Sequence, residues 1–161
     1  IVRITGDCPL CDPKIIDDVI ESHLNSKAEY TSNSLKPSFP DGLDVEVITK
    51  AAFEKVLKSA FLPSQLEHVT PYVYQNPTEF KINEHVSKMD FSKLRWTVDE
   101  LIDFEFVSEI YRLIYPKKPD FGMEDVLKVI NSNCLRNFDN SGIKRNEGYE
   151  ISLLQDQKYG V

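Results

Sequence analysis

The first fourteen residues, IVRITGDCPLCDPK, have the pattern of a strand that enters a tight turn and then a helix. Residues 1–5 are mostly apolar and β-branched, which favours a buried strand, and Gly6 suits the turn. Asp12 before Pro13 is typical of a helix start, because aspartate caps the first N–H groups and proline fits the first turn. The chain is therefore expected to begin inside a sheet.

Strands and helices alternate along the rest of the chain. Strands are predicted over residues 29–33, 43–49, 80–86 and 94–98. Helices are predicted over residues 50–61, 64–76, 100–115 and 123–131, with an interruption at Pro71. Alternating elements of this kind predict one α/β domain over residues 1–161 with a mainly parallel, mixed sheet, and a less regular tail over residues 134–161.

Charge and composition exclude several classes of partner. The formal net charge is -7, which argues against a nucleic-acid or anionic-membrane surface. No apolar run approaches the roughly 18 to 20 residues of a membrane span. The three cysteines are too few, and odd in number, for the disulfide framework of a small secreted domain. These features together predict a cytoplasmic protein with free thiols.

Cys8 and Cys11 form a CxxC pair with three possible interpretations. A redox pair needs a lowered thiol pKa, whereas the neighbouring carboxylates of Asp7 and Asp12 raise it. A zinc site needs a second close pair of soft ligands, which the remaining candidates do not form: Cys134, His23, His68 and His85. Packing of two small semi-buried side chains is the favoured interpretation.

Two aspartates are candidates for a metal site. Asp7 follows the first predicted strand, and Asp99 follows the predicted strand 94–98 and precedes a long helix. Such positions lie at the sheet edge where open α/β sheets bind ligands. Two carboxylates there suit Mg²⁺ that also contacts phosphate oxygens and water. The alternatives are a turn aspartate at position 7 and a helix N-cap at position 99.

Three further residues are candidate substrate contacts. Asp44 and Glu46 lie two apart on one strand, so both can face one cavity and accept hydrogen bonds from sugar hydroxyls. A solvated strand face explains the same spacing equally well. Arg95 suits phosphate or carboxylate groups, although a charged surface position is the default. His68 carries no assigned role.

Several blocks of the sequence together resemble one enzyme family. The blocks RITGDCPL, FPDGLDVEV, EHVTPY, LRWTVDE and NSGIKRNEGY follow one another along nearly the whole chain. In this order they resemble the spore-coat polysaccharide biosynthesis type of cytidylyltransferase, within the acylneuraminate and KDO cytidylyltransferase superfamily. The resemblance implies a Rossmann-like, three-layer nucleotidyltransferase that transfers CMP from CTP to a sugar for cell-surface or spore-coat polysaccharide and releases pyrophosphate.

The resemblance also assigns roles to individual residues. Asp7 is similar to the family's metal and triphosphate aspartate, and Asp99 is similar to its second metal aspartate, with Mg²⁺ as the expected cofactor. The expected substrate contacts are Gly6, Asp44, Glu46 and Arg95. Catalysis is expected from charge neutralisation and in-line positioning, without a covalent protein intermediate.

One departure from the family concerns the start of the chain. Family members open with a strand and a glycine-rich, basic loop for the nucleotide, and nothing similar precedes IVRIT in this sequence. We therefore expect weak CTP binding by this chain alone, with a partner that is either a second copy or a chain supplying the N-terminal half. A noncatalytic binding or assembly module with the same fold is the alternative function.

Overall fold

The computed structural model describes residues 1–132, 143, 145 and 147–159. Within them the strands are β1 Val2–Arg3, β2 Tyr30–Ser32, β3 Glu46–Ile48 and β4 Ile82–Glu84. The longer helices are α1 Pro13–Ser26, α2 Lys50–Ser59, α5 Leu101–Ile114, α6 Met123–Asn131 and α7 Glu147–Asp156. Two short helices, α3 Pro63–His68 and α4 Pro71–Gln75, follow α2, and a 3₁₀ turn, Gln157–Tyr159, follows α7.

The strands form one mixed sheet in the order β1-β3-β2-β4. β3 runs antiparallel to both of its neighbours, β1 and β2, and only the β2–β4 pair is parallel. The α/β class is confirmed, but the prediction of a mainly parallel sheet is wrong. The physical reason is the connection between β2 and β3, which contains no helix, whereas a parallel pair needs a long crossover.

Apolar cores lie on both faces of the sheet. Val47 belongs to a core with α1, α5, α6 and Trp96, whereas the adjacent Ile48 belongs to a core with α2 and α4. Successive residues of a strand point to opposite faces, so helices cover the sheet on both sides. β3 is consequently buried throughout, which rules out a solvated strand face at Glu46.

β1 lies at the outer edge of the sheet and is shorter than predicted. It spans Val2–Arg3 only, and the apolar side chains of Ile1, Val2 and Ile4 are exposed instead of buried. An apolar edge of this kind can pair with another strand, so self-association at β1 stays a prediction. The predicted strand 94–98 is not a strand: Arg95 makes a single isolated bridge to Asp41.

The helix signals in the sequence were more accurate than the strand signals. Asp12 caps α1 by accepting a hydrogen bond from the Lys14 N–H at 2.8 Å, and Pro13 occupies the first position, as predicted. The predicted helix 64–76 is divided into α3 and α4, with α4 beginning at Pro71. α7 lies in a region where the sequence showed no helical period. Residues 134–142 of the predicted tail, including Cys134, lie outside the described residues, as do positions 144, 146, 160 and 161.

None of the described helices combines the length and the apolar composition of a membrane span.

Candidate functional site

A cavity of about 860 Å³ lies beside the N-terminal turn, and most of the charged residues in its described lining are acidic. The lining comes from residues near 5, 44, 70, 97 and 148, which are far apart in the sequence. Its charged side chains are those of Asp7, Asp41, Asp44, Glu46, Asp99, Glu100, Arg3 and Arg95. Five of the six predicted site residues are therefore in one cavity. The exception is Gly6, which is not in the lining.

Asp7 is fixed against the segment that leads to Asp99. Its backbone carbonyl accepts hydrogen bonds from the Val98 N–H at 2.8 Å and the Thr97 hydroxyl at 3.2 Å. The same hydroxyl is 3.3 Å from the Asp7 carboxylate. These bonds bring Asp7 and Asp99 to one side of the cavity although 92 positions separate them.

The Asp7 carboxylate is held in its ionised form. Partial burial alone would raise its pKa, but hydrogen bonds from Thr5, its own backbone N–H, Thr97 and Cys8 outweigh this effect and lower the pKa. An ionised carboxylate at the cavity wall is what a hard divalent cation requires of a ligand.

Asp99 is held by a buried arginine. Arg95 Nη2 donates to Asp99 Oδ2 at 2.6 Å and to Asp103 Oδ2 at 3.0 Å, and Arg95 Nη1 lies 3.3 Å from Asp41 Oδ2. The Arg95 side chain is buried, so a charged surface position is excluded. The Asp99 side chain, by contrast, is 53% exposed. Asp99 is thus oriented by Arg95 and still open to the cavity.

The helix cap beside Asp99 differs from the prediction. Glu100, not Asp99, is the N-cap residue of α5. The Asp103 carboxylate accepts hydrogen bonds from the N–H groups of Asp99 and Glu100 at 3.2 and 3.1 Å. Because Asp103 satisfies these helix-terminal N–H groups, the Asp99 side chain is not needed as a cap.

Glu46 is largely engaged inside the protein. Its Oε1 accepts hydrogen bonds from the Tyr30 hydroxyl and, at 2.6 Å, from the Thr70 hydroxyl, and its Oε2 pairs with Arg3. The burial of a carboxylate in β3 is compensated by these three donors. The role of Glu46 as a sugar contact stays a prediction, and these three contacts indicate that it holds neighbouring side chains of the cavity in place.

Asp44 and Asp41 share a second arginine. Arg145 Nη2 donates to Asp44 Oδ1 at 2.5 Å, and Arg145 Nε lies 3.4 Å from Asp41 Oδ1. Burial raises the pKa of Asp44 to about 6, against the opposing effect of Arg145. Burial likewise raises the pKa of Asp41, although Arg145 and Arg95 oppose the shift. Arg145 therefore links the C-terminal region to the cavity wall.

The turn around Asp41 is packed directly on the segment that carries Arg95. The Asp41 N–H donates to the Leu94 carbonyl at 2.9 Å, and the Trp96 N–H donates to the Asp41 carbonyl at 2.6 Å. Gly42 has φ +102°, and a Cβ there would lie 2.6 Å from backbone atoms of Trp96 and Thr97. Only glycine allows this close approach. Gly6, in contrast, has no neighbouring atom within 4 Å of the position that a Cβ would occupy.

The CxxC pair has the properties of packing residues. Cys8 is buried, and burial raises its pKa to about 12; burial also raises the pKa of Cys11. The Cys11 thiol donates to the Cys8 carbonyl at 2.8 Å. Raised thiol pKa values disfavour the redox interpretation.

α7 closes the cavity from the side of α3 and α4. The Asp156 carboxylate accepts hydrogen bonds from the Ser64 N–H at 3.0 Å and the Ser64 hydroxyl at 2.6 Å. His68 contacts the Ser152 hydroxyl at 3.1 Å and packs edge-on against the Tyr149 ring. His68 and Tyr149 both line the cavity. His68 therefore has a structural contact with α7.

Sequence reasoning missed Asp41, Asp103, Arg145 as a partner of Asp44, and Tyr149. Asp103 had a usable signal, since an acidic residue in the first turn of a helix commonly caps it. Asp41 stands in the quoted FPDGLDVEV block, but its ion pairs depend on residues more than fifty positions away.

The carboxylates present fit Mg²⁺ only together with substrate oxygens. Within the described ranges, no three His, Cys, Asp or Glu side chains are grouped so that they could hold a metal ion by themselves. Asp7 and Asp99 supply two ligand groups in one cavity. Mg²⁺ is commonly bound by one or two carboxylates, with phosphate oxygens and water completing its six ligands.

Comparisons with known proteins identify one family. Residues 1–129 match the cytidylyltransferase family. The chain is 38% identical over 115 residues to the uncharacterized protein MJ1063 of Methanocaldococcus jannaschii, covering 70% of this chain and 46% of that protein. It is 26% identical over 136 residues to the spore coat polysaccharide biosynthesis protein SpsF of Bacillus subtilis, covering 83% of this chain and 55% of SpsF.

A solved structure supports the same family assignment. The fold matches a cytidylyltransferase from Leptospira borgpetersenii with a TM-score of 0.80 and 33% identity, over 89% of this chain and 60% of that one. The chain spans about half the length of the two curated relatives.

Proposed function

The chain belongs to the cytidylyltransferase family, and on this premise we propose that it transfers CMP from CTP to a sugar with the help of Mg²⁺. The sugar hydroxyl oxygen attacks the α-phosphorus and forms a new P–O bond. The bond from the α-phosphorus to the β-phosphate oxygen breaks, pyrophosphate leaves, and the hydroxyl proton is released to water. The product is a CMP-sugar, and its proposed use is the synthesis of a surface polysaccharide.

The observation that carries the proposal is the placement of Asp7 and Asp99 in one cavity. The bonds from Val98 and Thr97 to the Asp7 carbonyl hold Asp7 beside the segment that carries Asp99, and both residues line the cavity. Asp7 and Asp99 would hold the metal, which, when bound, neutralises phosphate charge during the transfer. Arg95 would keep the Asp99 carboxylate at the wall through its 2.6 Å hydrogen bond.

The remaining residues would orient the sugar. Asp44 Oδ1 is occupied by Arg145, and the described residues supply no hydrogen-bond donor for Asp44 Oδ2. That oxygen would accept a hydrogen bond from a sugar hydroxyl. Holding the hydroxyl and the triphosphate in line converts a bimolecular reaction into a reaction within one complex.

The test uses the protein as its gene encodes it, in a titration of CTP in the presence of Mg²⁺. Asp7→Asn and Asp99→Asn should each weaken Mg²⁺-dependent CTP binding at least tenfold. Asp18→Asn, which removes the same charge from the exposed surface of α1, should leave it unchanged. CTP binding that is independent of Mg²⁺, or equal in the Asp7 and Asp18 variants, would contradict the metal assignment.

A noncatalytic binding module is the second candidate. It is favoured by the ion pairs of the two arginines in the described lining, Arg3 and Arg95, and of the nearby Arg145, with carboxylates of the protein, because a triphosphate needs basic partners. The complete absence of CTP binding by the intact, folded protein would support this candidate instead.

A further inference from the structure

Asn33 lies directly after β2, opposite the segment that carries Asp44. The register of β2 and β3 pairs Ser32 with Glu46, so the next facing pair is Asn33 and Val45. The Asn33 N–H donates to the Val45 carbonyl at 3.3 Å, and the Asn33 side chain is buried. The two chain segments therefore stay paired for one residue beyond the ends of both strands.

The Asn33 carboxamide extends this pairing across Asp44. Its Nδ2 donates to the Leu43 carbonyl at 2.7 Å, and its Oδ1 accepts from the Val45 N–H at 2.8 Å. One side-chain amide thus bonds the C=O of one residue and the N–H two positions later, as a peptide group of a neighbouring strand does. We call these two bonds the Asn33 clamp. Because Asp44 lies between the two bonded residues, the clamp fixes the backbone on both sides of it.

The clamp also determines which way the Asp44 side chain points. The side chains of Leu43 and Val45 belong to the apolar core, whereas Asp44 lines the cavity. Successive side chains of an extended segment point to opposite faces. A shift of this segment by one residue would turn Asp44 toward the core, and a fixed register prevents it.

The clamp needs the chemistry of asparagine. Asparagine offers one donor and one acceptor on a single short fork, and both are used here. Aspartate would keep the acceptor for the Val45 N–H but would place a second carboxylate oxygen against the Leu43 carbonyl. Alanine would leave a donor and an acceptor unpaired among buried residues, which is costly.

From these contacts we propose that Asn33 is a positioning residue for the sugar, because its carboxamide holds residues 43–45 extended with Asp44 directed into the cavity. The proposal rests on the proposed function, in which Asp44 Oδ2 accepts a hydrogen bond from a sugar hydroxyl. Asn33 itself is buried, so it acts through Asp44.

The first test needs no ligand and measures amide hydrogen exchange by NMR on the protein as its gene encodes it. In Asn33→Ala the Val45 N–H loses its acceptor and should exchange at least tenfold faster, relative to the Val19 N–H of α1, than in the unchanged protein. The ratio to α1 removes any general loss of stability. An unchanged ratio would overturn the clamp.

The second test uses Asn33→Asp, which keeps the shape and loses only the donor. Pyrophosphate release is measured with CTP, Mg²⁺ and four probe sugars, namely KDO, N-acetylneuraminate, N-acetylglucosamine and glucose. For the sugar that the unchanged protein uses best, we expect the variant to raise the KM for the sugar at least tenfold and to keep the KM for CTP within twofold. Equal changes in both KM values would indicate a general structural effect and overturn the positioning role.

Asn83→Asp is the matched control in the same sheet. Asn83 Nδ2 donates to the hydroxyl oxygens of Ser22 and Thr31 at 3.0 and 3.4 Å. A hydroxyl can turn and donate to a carboxylate, whereas the Leu43 carbonyl cannot. Asn83→Asp should therefore leave both KM values unchanged, and the same rise in the KM for the sugar would overturn the argument from the clamp.

The two proposals can fail separately. If the unchanged protein binds no CTP with Mg²⁺, the proposed function fails, while the exchange of the Val45 N–H still decides whether the clamp holds residues 43–45. If CTP binds and Asn33→Asp leaves the KM for the sugar unchanged, the positioning role is wrong and the proposed function stands.

Discussion

Asp103→Asn is the substitution for which the structure makes the sharpest stability prediction. The Asp103 side chain is fully buried, and its Oδ2 accepts three hydrogen bonds, from Arg95 Nη2 and from the N–H groups of Asp99 and Glu100. Its Oδ1 accepts a fourth from Arg95 Nε at 3.1 Å. Asparagine has only one acceptor oxygen, so its NH₂ group would face at least one of these donors.

The loss of stability expected for Asp103→Asn can be estimated from these hydrogen bonds and ion pairs. Breaking a buried ion pair by removing one partner costs about 3 to 5 kcal/mol. Arg95 keeps Asp41 and Asp99 as partners, which places the loss at the lower end, about 3 kcal/mol. For a chain of this length, 1 kcal/mol lowers Tm by roughly 2 to 4 °C, so Asp103→Asn should lower Tm by about 6 to 12 °C.

Urea unfolding followed by tryptophan fluorescence measures this loss. Trp96 is the only tryptophan, it is buried, and it is adjacent to Arg95 in the chain. Asp99→Asn is the matched control: it removes the same charge from the same arginine at a half-exposed site, where an ion pair contributes about 1 kcal/mol or less. Equal losses of stability in Asp103→Asn and Asp99→Asn would refute the argument that burial determines how much each ion pair contributes to stability.

Three other predictions concern the N-terminal region and the cavity. Gly122→Ala should lower the free energy of unfolding, measured by urea titration, by about 1 to 2 kcal/mol, because its Cβ would lie 2.4 Å from the Asp12 carboxylate that caps α1. Gly6→Ala is the control and should change this free energy little, because the space around Gly6 is open. Cys8, with its pKa raised to about 12, should react slowly with a thiol reagent at pH 7.5 when followed by peptide mass mapping, and rapid labelling of the folded protein would contradict its burial. Asp44 has a folded pKa of about 6 against its usual 3.8, so the stability it contributes is present below pH 3.8 and lost as the pH rises through 6. The free energy of unfolding, measured by urea titration between pH 4 and 7, should therefore decline by about 2 kcal/mol less in Asp44→Asn, and parallel pH profiles for the two proteins would contradict the raised pKa.

The sequence predicted the helices well because their signals are local. The cap at Asp12, the proline at position 13 and the helical period fix α1, and α6 occupies the predicted residues 123–131. The direction of β3 also had a signal. Residues 34–42, SLKPSFPDG, have the composition of a turn-rich loop, and a loop without a helix cannot carry a parallel crossover, so β3 had to run antiparallel to β2.

The errors came from interactions between distant residues. Residues 94–98 have a strand-like sequence, but their backbone bonds go to the turn at Asp41, where Gly42 permits close approach. A solvated strand face was one of the two interpretations of Asp44 and Glu46, yet Glu46 is buried because Tyr30, Thr70 and Arg3 supply its donors. No spacing rule within a strand reveals partners contributed by other segments.

Arg95 explains why the fold and the proposed site depend on each other. Its guanidinium joins the turn at Asp41, the cavity residue Asp99 and the buried Asp103. Asp103 fixes the arginine from the protein interior, and the arginine in turn fixes Asp99 at the cavity wall. The two variants should therefore have different effects. Asp99→Asn should reduce Mg²⁺-dependent CTP binding with little loss of stability, whereas the main effect of Asp103→Asn should be a loss of stability. It should weaken binding only because Arg95 no longer holds Asp99 in place.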